Sequence, residues 1–362
     1  MTQHTTTKKN SRVVVAMSGG VDSSVAAALL VEQGYDVVGM MLRLWAEAGG
    51  SANRCCTPDA IGDAQYIADD LGIPFYVRDY KNIFKKIIVE PFIDSYAQGL
   101  TPNPCLTCNR VIRFDLLLKE ALALGAQYLA TGHYARVRRN EAGLYELWRG
   151  LDPDKDQSYV LHTLTQENLP HVMFPLGDYA KDEVREMAVK YDLPVFNKPD
   201  SQDLCFLGDG SYRDFLKRNA SDIFEPGEIV NAQGETLGEH QGLPAYTIGQ
   251  RRGLGIAAPQ PHYVIKLEAN ANRLVVGTRD ELGGDRLTAH SVSYISGQPF
   301  DRPTRVEAKI RYKARPVPAT VTSLPDNRLQ ARLDQPLPDI TPGQGFVFFQ
   351  GERVLGGGII ER

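Results

Sequence analysis

Residues Arg12–Met17 (RVVVAM) form a short apolar run that passes directly into Ser18-Gly19-Gly20-Val21-Asp22-Ser23-Ser24. A run this short and rich in valine reads as a strand buried on both faces. The segment after it reads as a helix: Val21, Val25, Leu29 and Leu30 share one face, and Gly34 supplies the stop. A buried strand joined to a helix through a glycine pair is the opening unit of a parallel α/β sheet, and little else accommodates it. The joint also suggests chemistry. Two glycines let the backbone approach an anion closely, and the helix start turns unsatisfied N–H groups and a positive dipole end toward it. Ser18, Ser23 and Ser24 add hydroxyl donors. A tight strand-to-helix turn would account for the glycines alone. The whole string S-G-G-x-D-S in this frame favours phosphate, yet no lysine follows the glycines as it does in a G-x-x-x-x-G-K-[ST] loop.

The alternation continues. Val37–Leu42 reads as a second strand, and Thr57-Pro58 opens a helix to about Leu71 with threonine at the cap and proline in the first turn. PFYVRDY is a third strand, Asn109 to Leu124 a helix, Gln127–Tyr134 a strand, and Tyr179 to Tyr191 a helix ended by Pro194. Residues 1–210 thus read as one α/β domain. From 211 to 285 turn signals recur every few residues, and from 286 to 362 the pattern is almost entirely strand. These stretches predict a small central β-rich domain and a C-terminal β-barrel. The 362-residue length fits several domains. With 43% hydrophobic and 23% charged residues the composition is that of a globular protein. No apolar run approaches a membrane span, and the first twelve residues lack the apolar core of a signal peptide. A cytoplasmic protein with no membrane partner is the expectation. Lys+Arg 40 against Asp+Glu 44 leaves a net charge of −4, so any nucleic acid must be held by a local patch.

Five cysteines without a secretion signal point to a reducing compartment. Cys55 and Cys56, side by side, read as bystanders. Cys105 and Cys108 form a C-x-x-C after two prolines at a helix start, where thiol pKa values fall and a reactive thiolate is plausible. Cys205 lies in the polar loop DSQDLCFLGDG. Further on, Lys309, Arg311, Lys313 and Arg315 alternate, so a continuous strand would present them as one basic ridge suited to phosphates. A solvated, charge-protected edge strand is the other reading.

The phosphate loop resembles that of the PP-loop pyrophosphatases, which cleave ATP between its α- and β-phosphates. Eight motifs in order, AMSGGVDSSVAA, TPNPCLTCNRVIRFD, ATGHYAR, KDQSYVL, DSQDLCF, GQRRGLGI, IRYKARP and PGQGFVFF, make nearly the whole chain similar to the tRNA-specific 2-thiouridylases. The resemblance implies a PP-loop catalytic domain that adenylates the C2 oxygen of the wobble uridine in tRNA, then delivers sulfur from a cysteine persulfide. It implies ATP contacts at Ala16, Met17, Ser18, Gly19, Gly20, Val21, Asp22 and Ser23, with Leu42 and Gly132, and Asp22 as a Mg²⁺ partner or a brace of the loop. Cys108 matches the nucleophile and Cys205 the persulfide carrier. Asn103, Pro104 and Cys105 match the target-base segment. His133, Lys155, Asp156, Gln157, Arg311, Tyr312 and Gln344 match tRNA contacts. The implied partners are tRNAs for lysine, glutamate and glutamine, and a sulfur donor such as a cysteine desulfurase or a relay protein.

Many members carry aspartate where this chain has Cys105. The thiol is a poorer base, but it places a third cysteine beside Cys108 and Cys205, and three thiolates could hold a [4Fe-4S] cluster with an open iron. A persulfide relay and a cluster-bound sulfide therefore both stand. So do two other functions: a PP-loop synthetase acting on a small substrate, and a tRNA-binding protein without activity.

Overall fold

The computed structural model describes residues 11–45, 47, 57–199, 204–207, 210–257 and 260–361. Cys55 and Cys56 lie outside them. Five parallel strands make the first sheet: β1 (Arg12–Ala16), β2 (Asp36–Arg43), β3 (Phe75–Asp79), β4 (Tyr128–Thr131) and, after a hairpin, β7 (Val172–Met173). Their order is β3-β2-β1-β4-β7. Val13, Val14 and Val15 of β1 are fully buried, because helices cover both faces of a parallel sheet. Helix α1 (Val21–Glu32) buries nearly its whole surface, and α2 (Pro58–Asp70) is capped by Thr57, whose hydroxyl accepts from the Ala60 N–H at 2.9 Å. Strand order changes direction at β1. The loops after β1 and β4 therefore flank the crevice where such sheets bind ligands.

The helix expected from Asn109 begins earlier. Pro104 opens it, with Asn103 as cap, and it widens into π-helical turns over Cys108–Leu117 before continuing as Leu118–Ala123. The segment before it, 81–97, is also helical. Its lysine and isoleucine runs carry weak periodicity, so no helix was expected there.

Two small sheets follow. In the central one, β8 (Gly227–Val230), β9 (Thr236–His240), β10 (Tyr263–Glu268) and β11 (Arg273–Gly277) run in the order β10-β11-β8-β9. The last region holds β12 (Gly284–Tyr294), β13 (Thr304–Lys309), β14 (Val317–Leu324), β15 (Arg328–Leu337), β16 (Gly345–Gln350) and β17 (Arg353–Ile360). These six close into a barrel when β17 pairs with both β16 and β12. Closure leaves no edge among the six. The start of β17 does a second job. Arg353 and Val354 pair with Trp148 and Leu147 of the hairpin β5 (Ala135–Arg139) and β6 (Tyr145–Arg149), which emerges from the first sheet. One apolar cluster thus runs from Val14 and Met40 through Leu106 and Tyr159 to Val347 and Phe349 on the barrel wall.

The expected basic ridge is not built. Strand β13 ends at Lys309, and residues 310–316 turn back toward β14. Alternation stops with the strand, so the four basic residues do not share a face. Among the described residues no helix is long and apolar enough to cross a membrane.

Candidate functional site

Helix α1 starts at Val21 with Gly20 as its cap residue, and no side chain among the described residues caps it. Its first N–H groups are therefore left to a ligand. The serines pin the loop instead: the Ser18 N–H donates to Ser23 Oγ at 3.1 Å, and the Ser23 and Ser24 hydroxyls donate to the Gly20 carbonyl at 3.2 and 2.9 Å. Gly19 has φ +69°, and a Cβ there would lie 2.4 Å from the Ala60 carbonyl oxygen. Gly132, beyond β4, packs so closely on α1 that a Cβ would meet the Asp22 carbonyl carbon and the Ser23 nitrogen at 2.8 Å. The two loops read from the sequence as ATP contacts thus meet at the start of α1.

Asp22 is a brace. Its Oδ1 accepts from the Tyr134 hydroxyl at 2.7 Å and from Lys181 Nζ at 2.6 Å. Lys181 is only 8% exposed. Across the loop, Lys198 Nζ donates to the Gly19 carbonyl at 2.9 Å and pairs with Asp63 of α2. Sequence reasoning missed both lysines and Tyr134. One signal was available: Lys181 is the first residue of its helix, where a cation opposes the helix dipole, so it needed a reason to be there.

The cysteines occupy a second wall. Leu42, at the end of β2, Cys108 and Cys205 all pack against one cluster containing Phe84, Ile88, Phe92, Ile112 and Phe215. Phe206 anchors the segment carrying Cys205 by edge-on contacts with Phe84, Phe92 and Phe215 at 5.2–5.9 Å. Cys105 stands one helical turn before Cys108. Its thiol is pushed up to about 11, first by burial and then by Cys108, with Arg113 opposing. The expected reactive thiolate at this helix start is therefore not found at Cys105: the sulfur is too enclosed for the helix end to hold a charge on it. The cluster reading is tested by placement. Among the described residues no three His, Cys, Asp or Glu side chains converge to hold a metal ion. The three cysteines do not fit a [4Fe-4S] cluster as placed.

The target-base segment is held from the barrel. Asn103 Oδ1 accepts from the Cys105 N–H at 3.2 Å, and its side chain also bonds the Tyr159 hydroxyl. That hydroxyl donates to the Gly345 carbonyl at 2.8 Å. Gln344 Nε2 donates to the Thr101 carbonyl at 2.8 Å, and the Thr101 N–H donates to the Pro342 carbonyl at 3.0 Å. Gln344 is thus a clasp between the barrel and the 101–105 segment.

The other expected tRNA contacts divide by exposure. Lys155 is half-buried, and Arg311 is exposed and paired with Asp339 at 2.7 Å. Asp156 is buried, its Oδ1 accepting from the Gly150 and Ser158 N–H groups at 3.1 and 3.0 Å. Gln157 bonds the backbone of Tyr134 in both directions, and Tyr312 leans on Tyr159 with ring centres 5.9 Å apart. His133 is buried beside Phe114 and Phe174 with Nδ1 2.7 Å from Thr131 Oγ1, and burial holds its pKa down to about 3. Its side chain is part of the wall behind the loop rather than of an exposed surface.

Three family profiles cover the chain: a tRNA methyl transferase HUP domain over residues 11–209, a tRNA methyl transferase PRC-barrel domain over 213–278, and an aminomethyltransferase beta-barrel domain over 284–360. A tRNA-specific 2-thiouridylase MnmA from Magnetococcus marinus is 50% identical over 96% of this chain and 98% of its own length. A second, from Thermoanaerobacter pseudethanolicus, is 47% identical over 98% and 99%. Among solved structures, a U34-tRNA thiolase from Methanococcus maripaludis with its [4Fe-4S] cluster matches 59% of this chain and 67% of its own. It does so at 22% identity and a TM-score of 0.36, too remote to bear on chemistry. With the loop, the cysteine pair and relatives matched from end to end, this chain belongs to the tRNA-specific 2-thiouridylase family.

Proposed function

We propose that this protein thiolates C2 of the wobble uridine in tRNA at the expense of ATP. The observation that carries the reading is the common apolar cluster beneath Leu42, Cys108 and Cys205, which brings a nucleotide-side residue and both sulfur-bearing residues to one wall. ATP, as its magnesium complex, lies with its phosphates on the Ala16–Ser23 loop, flanked by Leu42 and Gly132. Lys181 and Lys198 add positive charge beside that loop. With Asp22 held by Lys181 and Tyr134, the protein side of the loop is organised by an ammonium.

In the first step the uridine C2 oxygen attacks the α-phosphorus and pyrophosphate leaves. In the second, the Cys108 thiolate attacks the inner sulfur of a Cys205 persulfide and forms the Cys108–Cys205 disulfide. The expelled hydrosulfide adds to C2, and AMP departs with the former oxygen. An external dithiol then reduces the disulfide, and a cysteine desulfurase or relay protein reloads Cys205. Asn103, Pro104 and Cys105 receive the base. Lys155, Arg311 and Tyr312 lie on the face turned to tRNAs for lysine, glutamate and glutamine in the cytoplasm, and Asp156, Gln157 and Gln344, with His133 behind the loop, brace it from within.

Pyrophosphate release tests the reading. It should be stimulated by tRNA, and nucleoside mass analysis should show 2-thiouridine when a persulfide-loaded donor is supplied. Release driven by an amino acid or another small acceptor would establish a synthetase instead, and tRNA binding without any release an inactive binder.

A further inference from the structure

Arg149 closes β6, and its guanidinium carbon lies 4.1 Å from the centre of the Phe349 ring on the barrel wall. Its Nε and Nη2 atoms are buried, yet neither has a hydrogen-bond partner among the described residues. Folded proteins seldom leave such a group unsatisfied, because a buried charge without an acceptor is costly. A second cation stands nearby. Lys309 ends β13 opposite Val347 of β16. Ala308 and Ile310 face the barrel interior, so Lys309 turns to the outer face that Val347 and Phe349 also present to the catalytic domain. Its Nζ lies 6.0 Å over the Tyr312 ring, and it makes no ion pair among the described residues. By contrast Arg305 and Arg311, on the same barrel, are paired with Asp334 and Asp339.

Phe349, under Arg149, and Val347, opposite Lys309, share one face of β16, and Asp156 accepts from the Gly150 N–H next to Arg149, so the three charges lie along one seam. Asp156 is the carboxylate there, and its Oδ1 is already taken by two backbone N–H groups. Ser158 Oγ, in the same turn, is another buried atom without a partner among the described residues. The Tyr312 ring lies 5.9 Å from that of Tyr159, whose hydroxyl meets the Asn103 side chain, so the seam continues to the target-base segment. Two cations and an orphan hydroxyl, beside a carboxylate whose Oδ1 already accepts two N–H bonds, describe a seat for an anion.

We infer that Arg149 and Lys309 together seat a backbone phosphate of the RNA, from a linkage flanking the uridine held by Asn103–Cys105. The inference rests on the tRNA substrate proposed above and adds to it the residues that fix the strand beside the reacting base. A phosphate would satisfy the two guanidinium N–H groups side by side, which is the geometry arginine favours.

Binding of an anticodon stem-loop, measured across salt concentrations, tests this with Arg149→Met, which keeps the packing on Phe349, with Lys309→Gln, and with the double variant. Each single change should weaken binding about tenfold and reduce the slope of log K against log salt by roughly 0.7–0.9. The unliganded Arg149→Met protein should melt no lower than the wild type, because losing the cation–π contact with Phe349 is offset by removing a buried charge that has no acceptor among the described residues. A neutral methylphosphonate at one linkage beside the target uridine should weaken the wild type and leave the double variant unaffected. A lower melting temperature with an unchanged salt slope would make Arg149 merely structural and overturn the inference. So would a double variant as sensitive to the methylphosphonate as the wild type. If the wild type neither binds the stem-loop nor releases pyrophosphate with tRNA, the thiolation reading falls as well, and that failure is visible before any variant is compared.

Discussion

At the scale of single residues, burial decides which groups are reactive. Cys105 and Cys108 are three residues apart on one helix, but Cys105 is held protonated by its enclosure. Cys105→Ser should therefore keep most of the thiolation activity in iron-free buffer, whereas Cys108→Ser and Cys205→Ser should each abolish it. Loss of activity in all three, restored to the wild type only by iron and sulfide, would reverse this assignment. His133 gives a pH prediction. Its pKa is held near 3 in the fold and is about 6.5 in an unfolded chain. Between those values the unfolded state takes up a proton that the folded state refuses, so stability is complete above the unfolded pKa and falls as the pH drops below it. Chemical denaturation from about pH 7 down to about pH 5 should show the decline, and His133→Gln should make it shallower by about 1.4 kcal/mol per pH unit. His162, held down to about 4 by burial, contributes in the same direction.

At the scale of elements, the site is made by close approach. Strand β1 and helix α1 provide the phosphate loop, but β4 completes it by laying Gly132 against the first turn of α1. A methyl group at 132 would meet the Asp22 carbonyl carbon and the Ser23 nitrogen at 2.8 Å, and both belong to backbone that cannot swing away. Gly132→Ala should cost about 1–3 kcal/mol of local fit. The expected result is at least a tenfold loss in tRNA-stimulated pyrophosphate release, with stem-loop affinity retained. Equal loss of both would mean that the loop and the RNA face are one unit. The helix from Pro104 starts earlier than the Asn109 expected from the sequence, and its geometry changes along its length. Cys108 begins a π-helical stretch, in which each turn holds more residues than an α-helix, so the facing of later side chains departs from the 3.6-residue rule.

At the scale of the whole molecule, the barrel holds part of the first domain in place. Its 342–345 turn clasps the 101–105 segment through Thr101, Gln344 and the Tyr159–Gly345 bond. Gly343, at φ +92°, lies where a Cβ would come 2.9 Å from the Thr101 carbonyl oxygen. Gly343→Ala should destabilise the protein by roughly 1–3 kcal/mol and displace the target-base segment. Thiolation and tRNA affinity should fall while ATP binding without tRNA stays near the wild-type value, as calorimetry of the two ligands would show. Unchanged tRNA affinity would mean that the clasp only stabilises the fold.

Much of this protein was legible in its sequence. The parallel sheet, the phosphate loop, the Thr57 cap and the β-rich second half follow from local rules, because apolar period, caps and glycine pairs act over a few residues. The ordered motifs brought the ATP loop and the cysteine pair into view without coordinates. Long-range contact decided the rest. The bonds from Lys181 and Lys198 to the loop span more than 150 residues, and no local pattern encodes them. The alternating basic residues after Lys309 looked like a ridge only while the strand was assumed to continue, and it ends where the hairpin to β14 must turn. The thiol of Cys105 looked activated by its helix start until its enclosure raised it. Periodicity and capping are properties of a segment, whereas desolvation and buried pairing belong to whatever the rest of the chain packs against that segment.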